Sequence, residues 1–155
     1  MATAKSKTKH WHVVRTAELG ASREQVWELI GGFYTIHQWH PDIALTEIPP
    51  DQAKVRQLRR LLTFPGQPKT TEELVSMDSA DCHYRYRWHA GDWGERVMNY
   101  HASLRVFAGD LARTCTVAWE SEFDYSEDAI SQFYLNGFRA LRKRFPLPKA
   151  PKKKE

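Results

Sequence analysis

Cysteine is scarce: Cys82 and Cys115 are the two in 155 residues. They form no Cys-x-x-Cys pattern, which argues against a structural zinc site or a disulfide framework, so both read as reduced thiols. Long apolar runs are missing too. No stretch approaches the ~20 apolar residues of a membrane span. The opening MATAKSKTKH has no apolar run after its lysines, unlike a secretory signal. A cytoplasmic protein is the expectation. Also missing are a phosphate-cradling glycine loop, a nucleophile elbow, HExxH and a Ser-His-Asp spacing. No motif therefore establishes catalysis by itself, and neither a cofactor nor a metal is expected.

An acidic excess is absent only on paper. The formal net charge is +4. Lys5, Lys7 and Lys9 at one end, and Lys149, Lys152, Lys153, Lys154 and Glu155 at the other, amount to seven lysines less one glutamate. Residues 10–145 are left at −2. The basic character belongs to two tails, 1–9 and 147–155, expected to be disordered around one domain over 10–146. Lysine tails touch nucleic acid or anionic membrane nonspecifically, but more often they are solvated ends. No specific nucleic-acid partner is expected.

What is present is enough for a core: 41% hydrophobic and 12% aromatic residues. Residues 11–19, WHVVRTAEL, suit a strand. Ser22 and Gln25 form a capping box that opens a helix to about Ile30, which Gly31-Gly32 stops. A shorter helical turn is expected over Phe33 to Trp39, ended by the restriction Pro41 places on His40. Strand patterns follow over Val55–Phe64, Thr70–Met77, Cys82–Trp88, Val97–Phe107 and Thr114–Phe123, with PGQP, HAGDWGE and Gly109-Asp110 as breaks. Ser126 is expected to cap a long helix carrying Ile130, Phe133, Tyr134, Gly137, Phe138, Leu141 and Phe145 at helical spacing, ended by Pro146. The order gives an α+β fold: a curved antiparallel sheet of about seven strands around a long C-terminal helix, with two short helices after the first strand. One helix does not cover so large a sheet, which leaves room for a cavity between them.

ASREQVWELIGGFYTIHQWHPDI, followed by RRLLTFPGQPKTTEELVSMD, YRYRW, NYHASLRV and TVAWESEF, resembles the SRPBCC superfamily of START-like, birch-pollen-allergen-like proteins, in its polyketide cyclase/dehydrase type. The resemblance spans residues 11 to 145 and rests on the succession of segments. It implies a helix-grip fold and a mostly apolar cavity for a small hydrophobic ligand. It also implies diverse roles, from aromatase/cyclases to lipid carriers, so the fold does not settle function. GDWGERVMN departs from the family pattern by lacking a proline-containing approach to Tyr100 and adding Trp93, so no relative's ligand transfers.

Two histidines around a tryptophan, HQWH, invite a metal reading. A metal site normally needs three protein ligands, and spacing supplies no third. Trp39 is expected to pack, His40 to cap or line the mouth of the cavity, and His37 to be exposed. The stronger constellation lies on the sheet. With a three-residue loop, Pro65 to Gln67, Arg60 lies opposite Glu72; a four-residue loop puts Glu73 there instead. The family pattern favours Arg60 and Glu72 facing inward, with Leu58, Leu62, Phe64 and Leu74 on the same faces. Alternation turns Tyr84, Tyr86 and Trp88 inward and leaves Arg85 and Arg87 in solvent. Tyr100, Ala102, Leu104 and Val106 form a second inward row, and Val117, Trp119, Ser121 and Phe123 a third. Phe138 faces them from the helix. His101 points away from this set and His89 sits at a loop.

Three functions fit these residues. The first is binding of a small hydrophobic, cyclic oxygenated molecule, anchored by Arg60 among Trp39, His40, Leu62, Phe64, Glu72, Leu74, Tyr84, Tyr86, Trp88, Tyr100, Ala102, Trp119 and Phe138. The second is a cyclase or dehydratase acting on a β-keto substrate, with Glu72 as base and Arg60 and Tyr100 stabilising an enolate oxygen. The third is a protein-interaction module using the basic tails.

Overall fold

A computed structural model of the chain describes residues 8–89, 97–126, 128 and 130–149. Most of the expected HAGDWGE loop and much of both expected tails fall outside these residues. Seven antiparallel strands form one sheet: β1 (Lys9–Leu19), β2 (Leu45–Glu47), β3 (Arg59–Thr63), β4 (Thr70–Asp78), β5 (His83–Trp88), β6 (Met98–Ala108) and β7 (Cys115–Tyr125). Their order across the sheet is β1-β7-β6-β5-β4-β3-β2. After β1 come helix α1 (Arg23–Ile30) and a 3-10 turn (Ile36–Gln38), and after β7 the long helix α2 (Ser131–Arg144). This is the helix-grip arrangement the segment order implied.

Local chemistry explains most boundaries. The side chain of Ser22 accepts from the Gln25 amide, while the Gln25 side chain accepts from the Ser22 amide, so the capping box is complete. On β5, β6 and β7 alternate residues are buried, as period two requires. Gly20 accepts no Cβ: one would sit 1.9 Å from the carbonyl oxygen of Pro146. The Gly20 amide donates to the Phe145 carbonyl at 2.9 Å, tying the end of β1 to the end of α2.

Several boundaries differ from the pattern-based ones. Ser126 does not cap α2. The carboxylate of Asp128 accepts from the amides of Ile130 and Ser131 and from the Ser131 hydroxyl, and the helix starts at Ser131, with Ile130 at the N-cap position. Residues 55–58 are not strand; a 3-10 turn over Gln52–Lys54 precedes them, and β3 starts at Arg59. The Gln52 side chain accounts for this: it accepts from the Arg59 amide and donates to the carbonyls of Val55 and Gln57. Leu58 consequently stands 45% exposed instead of joining the inward row. The helical turn spans Ile36–Gln38 rather than all of Phe33 to Trp39. His37 is half-buried, not exposed, because its Nδ1 meets the Thr46 hydroxyl of β2 at 2.9 Å.

Candidate functional site

The inner face of the sheet and α2 enclose the aromatic residues. Tyr84, Trp119, Phe123, Tyr134 and Phe138 are fully buried, and Tyr86 and Tyr100 nearly so. They pack ring to ring. Trp119 stacks on Tyr134 at 4.2 Å and Trp88 on Tyr100 at 4.1 Å, while Trp39 lies 5.6 Å from Trp119. Their polar tips form a chain. Trp119 Nε1 donates to the Tyr86 hydroxyl at 2.9 Å, Tyr86 approaches Tyr100 at 3.5 Å, and Tyr100 bonds the Tyr134 hydroxyl. Burial holds the Tyr84, Tyr86, Tyr100 and Tyr134 phenols above their ordinary ionisation range, so all four are neutral.

Arg60 and Glu72 stand opposite each other across β3 and β4, the register that a three-residue loop predicts. Arg60 is fully buried and Glu72 5% exposed. Arg60 Nε donates to Glu72 Oε1 at 2.8 Å, and Nη2 lies 2.7 Å from the same oxygen. Nη1 donates to the Phe33 carbonyl at 2.8 Å. The guanidinium sits 4.4 Å over the Phe33 ring and 5.0 Å from that of Tyr86. Burial opposes its charge, but Tyr84 and then Glu72 outweigh burial and hold it above its ordinary value. The other oxygen of Glu72 accepts from Trp88 Nε1 at 2.9 Å. Among the described residues, neither Arg60 Nη2 nor the Tyr84 hydroxyl makes a hydrogen bond of good geometry.

His40 answers the HQWH question. It is 1% exposed. Its Nε2 donates to the Phe133 carbonyl at 2.7 Å, and its Nδ1 accepts from the Asp42 amide at 3.1 Å. Those partners fix a neutral tautomer, and burial lowers its pKa to about 4 despite the Phe133 bond. The ring stacks on Phe133 at 4.0 Å, and Asn136 of α2 donates to Asp42 at 2.9 Å. The segment therefore pins the loop after α1 onto α2. No group of three or more His, Cys, Asp or Glu among the described residues is placed to hold a metal.

The predicted residues thus join in one contact chain, from His40 and Trp39 through Trp119, Tyr134, Tyr100 and Trp88 to Glu72 and Arg60. Leu62, Ala102 and Phe138 are buried in the same core, while Phe64 and Leu74 are half-buried at its border. Sequence reasoning missed Phe33 and the pairing of Tyr134 with Tyr100. Phe33 engages Arg60 through a carbonyl and a ring face, neither of which a sequence pattern signals. Tyr134 was visible only as an apolar position at helical spacing.

The family model described as "Polyketide cyclase / dehydrase and lipid transport" matches residues 10–145. Among solved structures, the protein XoxI from Bacillus cereus is 28% identical, with 86% of this chain and 94% of that one covered and a TM-score of 0.74. Norcoclaurine synthase from Thalictrum flavum is 17% identical over 92% and 97% of the two chains, with a TM-score of 0.67. Major latex-like protein 151 from Panax ginseng is 14% identical over 88% and 98%, also at 0.67. The last two share the birch-pollen-allergen-like fold and show the fold alone. No curated protein matches the chain. Among the described residues no helix is long and apolar enough to cross a membrane. With the succession of segments, the strand order and the enclosing helix all in agreement, the chain belongs to the polyketide cyclase/dehydrase and lipid transport family of helix-grip proteins.

Proposed function

We propose that the protein binds a small hydrophobic, cyclic oxygenated molecule between the sheet and α2, with Arg60 as its polar anchor. One observation carries this reading. A fully buried guanidinium leaves Nη2 without a well-directed acceptor, beside a Tyr84 hydroxyl in the same condition. Nη2 keeps Glu72 Oε1 as an ionic partner at 2.7 Å, but neither it nor the Tyr84 hydroxyl has a well-directed hydrogen bond, and a poorly satisfied buried donor costs up to about 1–3 kcal/mol. A ligand carbonyl or carboxylate beside them would recover that cost, and the surrounding aromatic rings would take the apolar body. XoxI and the plant proteins support the scaffold but do not specify the ligand.

Native mass spectrometry of gently purified protein tests this directly. A mass excess of drug-like size that disappears on denaturation supports the reading and identifies the molecule. The anchoring role is tested by replacing the whole pair, Arg60→Leu with Glu72→Leu, which leaves no lone buried charge. Unchanged affinity for a carbonyl or carboxylate ligand would refute Arg60 as the anchor.

The second reading is a cyclase or dehydratase acting on a β-keto substrate, with Glu72 as base and Arg60 and Tyr100 at the enolate oxygen. The family's description favours it. The geometry sets a condition: Arg60 occupies Oε1 and Trp88 donates to Oε2, so a substrate proton has to approach the remaining lone pair of Oε2. Loss of turnover in Glu72→Gln with binding retained supports this reading; full activity in that variant rejects it.

A further inference from the structure

The inner face of the sheet buries one cation and one anion. Among the described residues, Arg60 and Glu72 are the buried charged side chains that face the core, since Glu73 turns to the outer face with Arg59 and Arg87. The titratable rings around them carry no charge at neutral pH. Burial keeps Tyr84, Tyr86, Tyr100 and Tyr134 as phenols and His40 as the neutral imidazole. The interior is therefore electrically balanced before any ligand enters, and a charged ligand would unbalance it.

The free edge of the guanidinium decides what can be added. Nε and Nη2 both lie against Oε1 of Glu72, at 2.8 and 2.7 Å. Nη1 donates to the Phe33 carbonyl at 2.8 Å, so one uncharged carbonyl already sits on this group. A guanidinium has five N–H donors, and these contacts leave one on Nη1 and one on Nη2 for a ligand. A ligand carbonyl oxygen there would repeat the Phe33 contact without adding charge. A ligand carboxylate there would share Arg60 with Glu72, and the two anions would repel each other across the guanidinium. It would also give up its water, a loss that a shared cation does not offset.

We propose that Glu72 sets the specificity of the interior site: by balancing Arg60 it admits a neutral carbonyl compound and turns away the matching carboxylate. The proposal rests on the reading of the interior as a ligand site. Arg60 is then an anchor for uncharged oxygen, and the class of ligand is a ketone, lactone or amide on an apolar ring system.

Two probes with the same ring system separate the charges: 2-acetylnaphthalene, a neutral ketone, and 2-naphthoate, its carboxylate counterpart. Each is titrated calorimetrically into the full chain at neutral pH. The wild-type protein should bind the ketone at least about tenfold more tightly. Glu72→Gln keeps an oxygen for Arg60 but removes the charge, and the ring faces of Phe33, Tyr84 and Tyr86, at 4.4, 5.7 and 5.0 Å, still cover the guanidinium. In that variant the affinity ratio should move toward naphthoate by about a hundredfold, the size of a unit-charge repulsion at roughly 6 Å in an effective dielectric of about 20. Naphthoate should also raise the denaturation midpoint of Glu72→Gln more than the ketone does. A wild-type protein that binds naphthoate as tightly as the ketone overturns the inference and leaves the interior site standing, and that arm holds even where Glu72→Gln does not fold. An unchanged ratio in folded Glu72→Gln overturns it equally. Uptake of neither probe by either form removes the interior site itself, and the inference with it.

Discussion

Glu72 and Glu73 are neighbours on β4, each facing an arginine of β3, yet they sit on opposite faces of one sheet. Both are about 95% buried. Glu73 lies between two arginines, 3.3 Å from Arg59 and 2.6 Å from Arg87, and Arg87 is half exposed. Burial pushes its carboxyl up, but Arg87 and then Arg59 outweigh that and hold it below its ordinary range. It belongs to a cross-strand row, His12, Glu122, His101, Arg87, Glu73 and Arg59, that runs over the outer face. Glu72 has one arginine, itself fully buried, and an indole. Two pairs of the same composition therefore differ in kind. The outer one is shared between two arginines, one of them half exposed, in a cross-strand row of polar side chains, whereas the inner one is a lone ion pair in an aromatic core.

Single removals should show the difference most strongly. Glu72→Ala leaves the Arg60 charge buried and uncompensated, and should cost about 3–5 kcal/mol in a denaturant titration. The double replacement by leucines should recover most of that. If Glu72→Ala costs less than Glu73→Ala, the inner pair is not isolated as described.

Next in size is the acid response of the core. His40 has a folded pKa of about 4 against an ordinary 6.5, so the native state binds fewer protons than the unfolded chain between those values. Stability should be complete above about pH 6.5 and decline toward pH 4, by about 3 kcal/mol in all. His10, paired with Asp124 on the outer face, is shifted the other way. Its small contribution should be present below its unfolded pKa and fade as pH rises through its raised folded value. Denaturant midpoints across this range should flatten in His40→Gln and stay nearly unchanged in His10→Gln.

Gly137→Ala probes the same latch from the helix side. A Cβ there would lie 2.7 Å from His40 Cδ2 and 3.2 Å from Trp119, and His40 is held by two hydrogen bonds. Overpacking of this kind costs about 1–3 kcal/mol, more than the helix propensity that alanine gains. Smallest of all, Lys69→Ala, which breaks an exposed pair with Glu47, should change stability by less than about 1 kcal/mol.

Short-range chemistry made much of this molecule legible. The alternation in YRYRW assigned Tyr84 and Tyr86 to the core and Arg85 and Arg87 to water. Ser22 and Gln25 marked the start of α1, and the family pattern, choosing between a three- and a four-residue loop, set Arg60 against Glu72. The first two are set by residues within a few positions of one another, whereas the third joins residues 12 positions apart across a hairpin. The failures share one cause: a polar side chain took backbone partners that the hydrophobic and capping patterns had assigned elsewhere. Gln52 intercepted the backbone that would have extended β3, and Asp128 took the capping role that Ser126 seemed to hold.

The sequence alone thus determined which face the regularly paired strand residues present, because backbone geometry imposes a period of two except where the register shifts, as between Leu74 and Ser76 and between Met98 and His101. Only the tertiary structure decided what those residues meet. Phe33 closing over Arg60, Tyr134 reaching Tyr100 and His40 locked to Phe133 join positions 27, 34 and 93 residues apart. Contacts at such separations depend on how the sheet curls and where α2 lies, which no local pattern records.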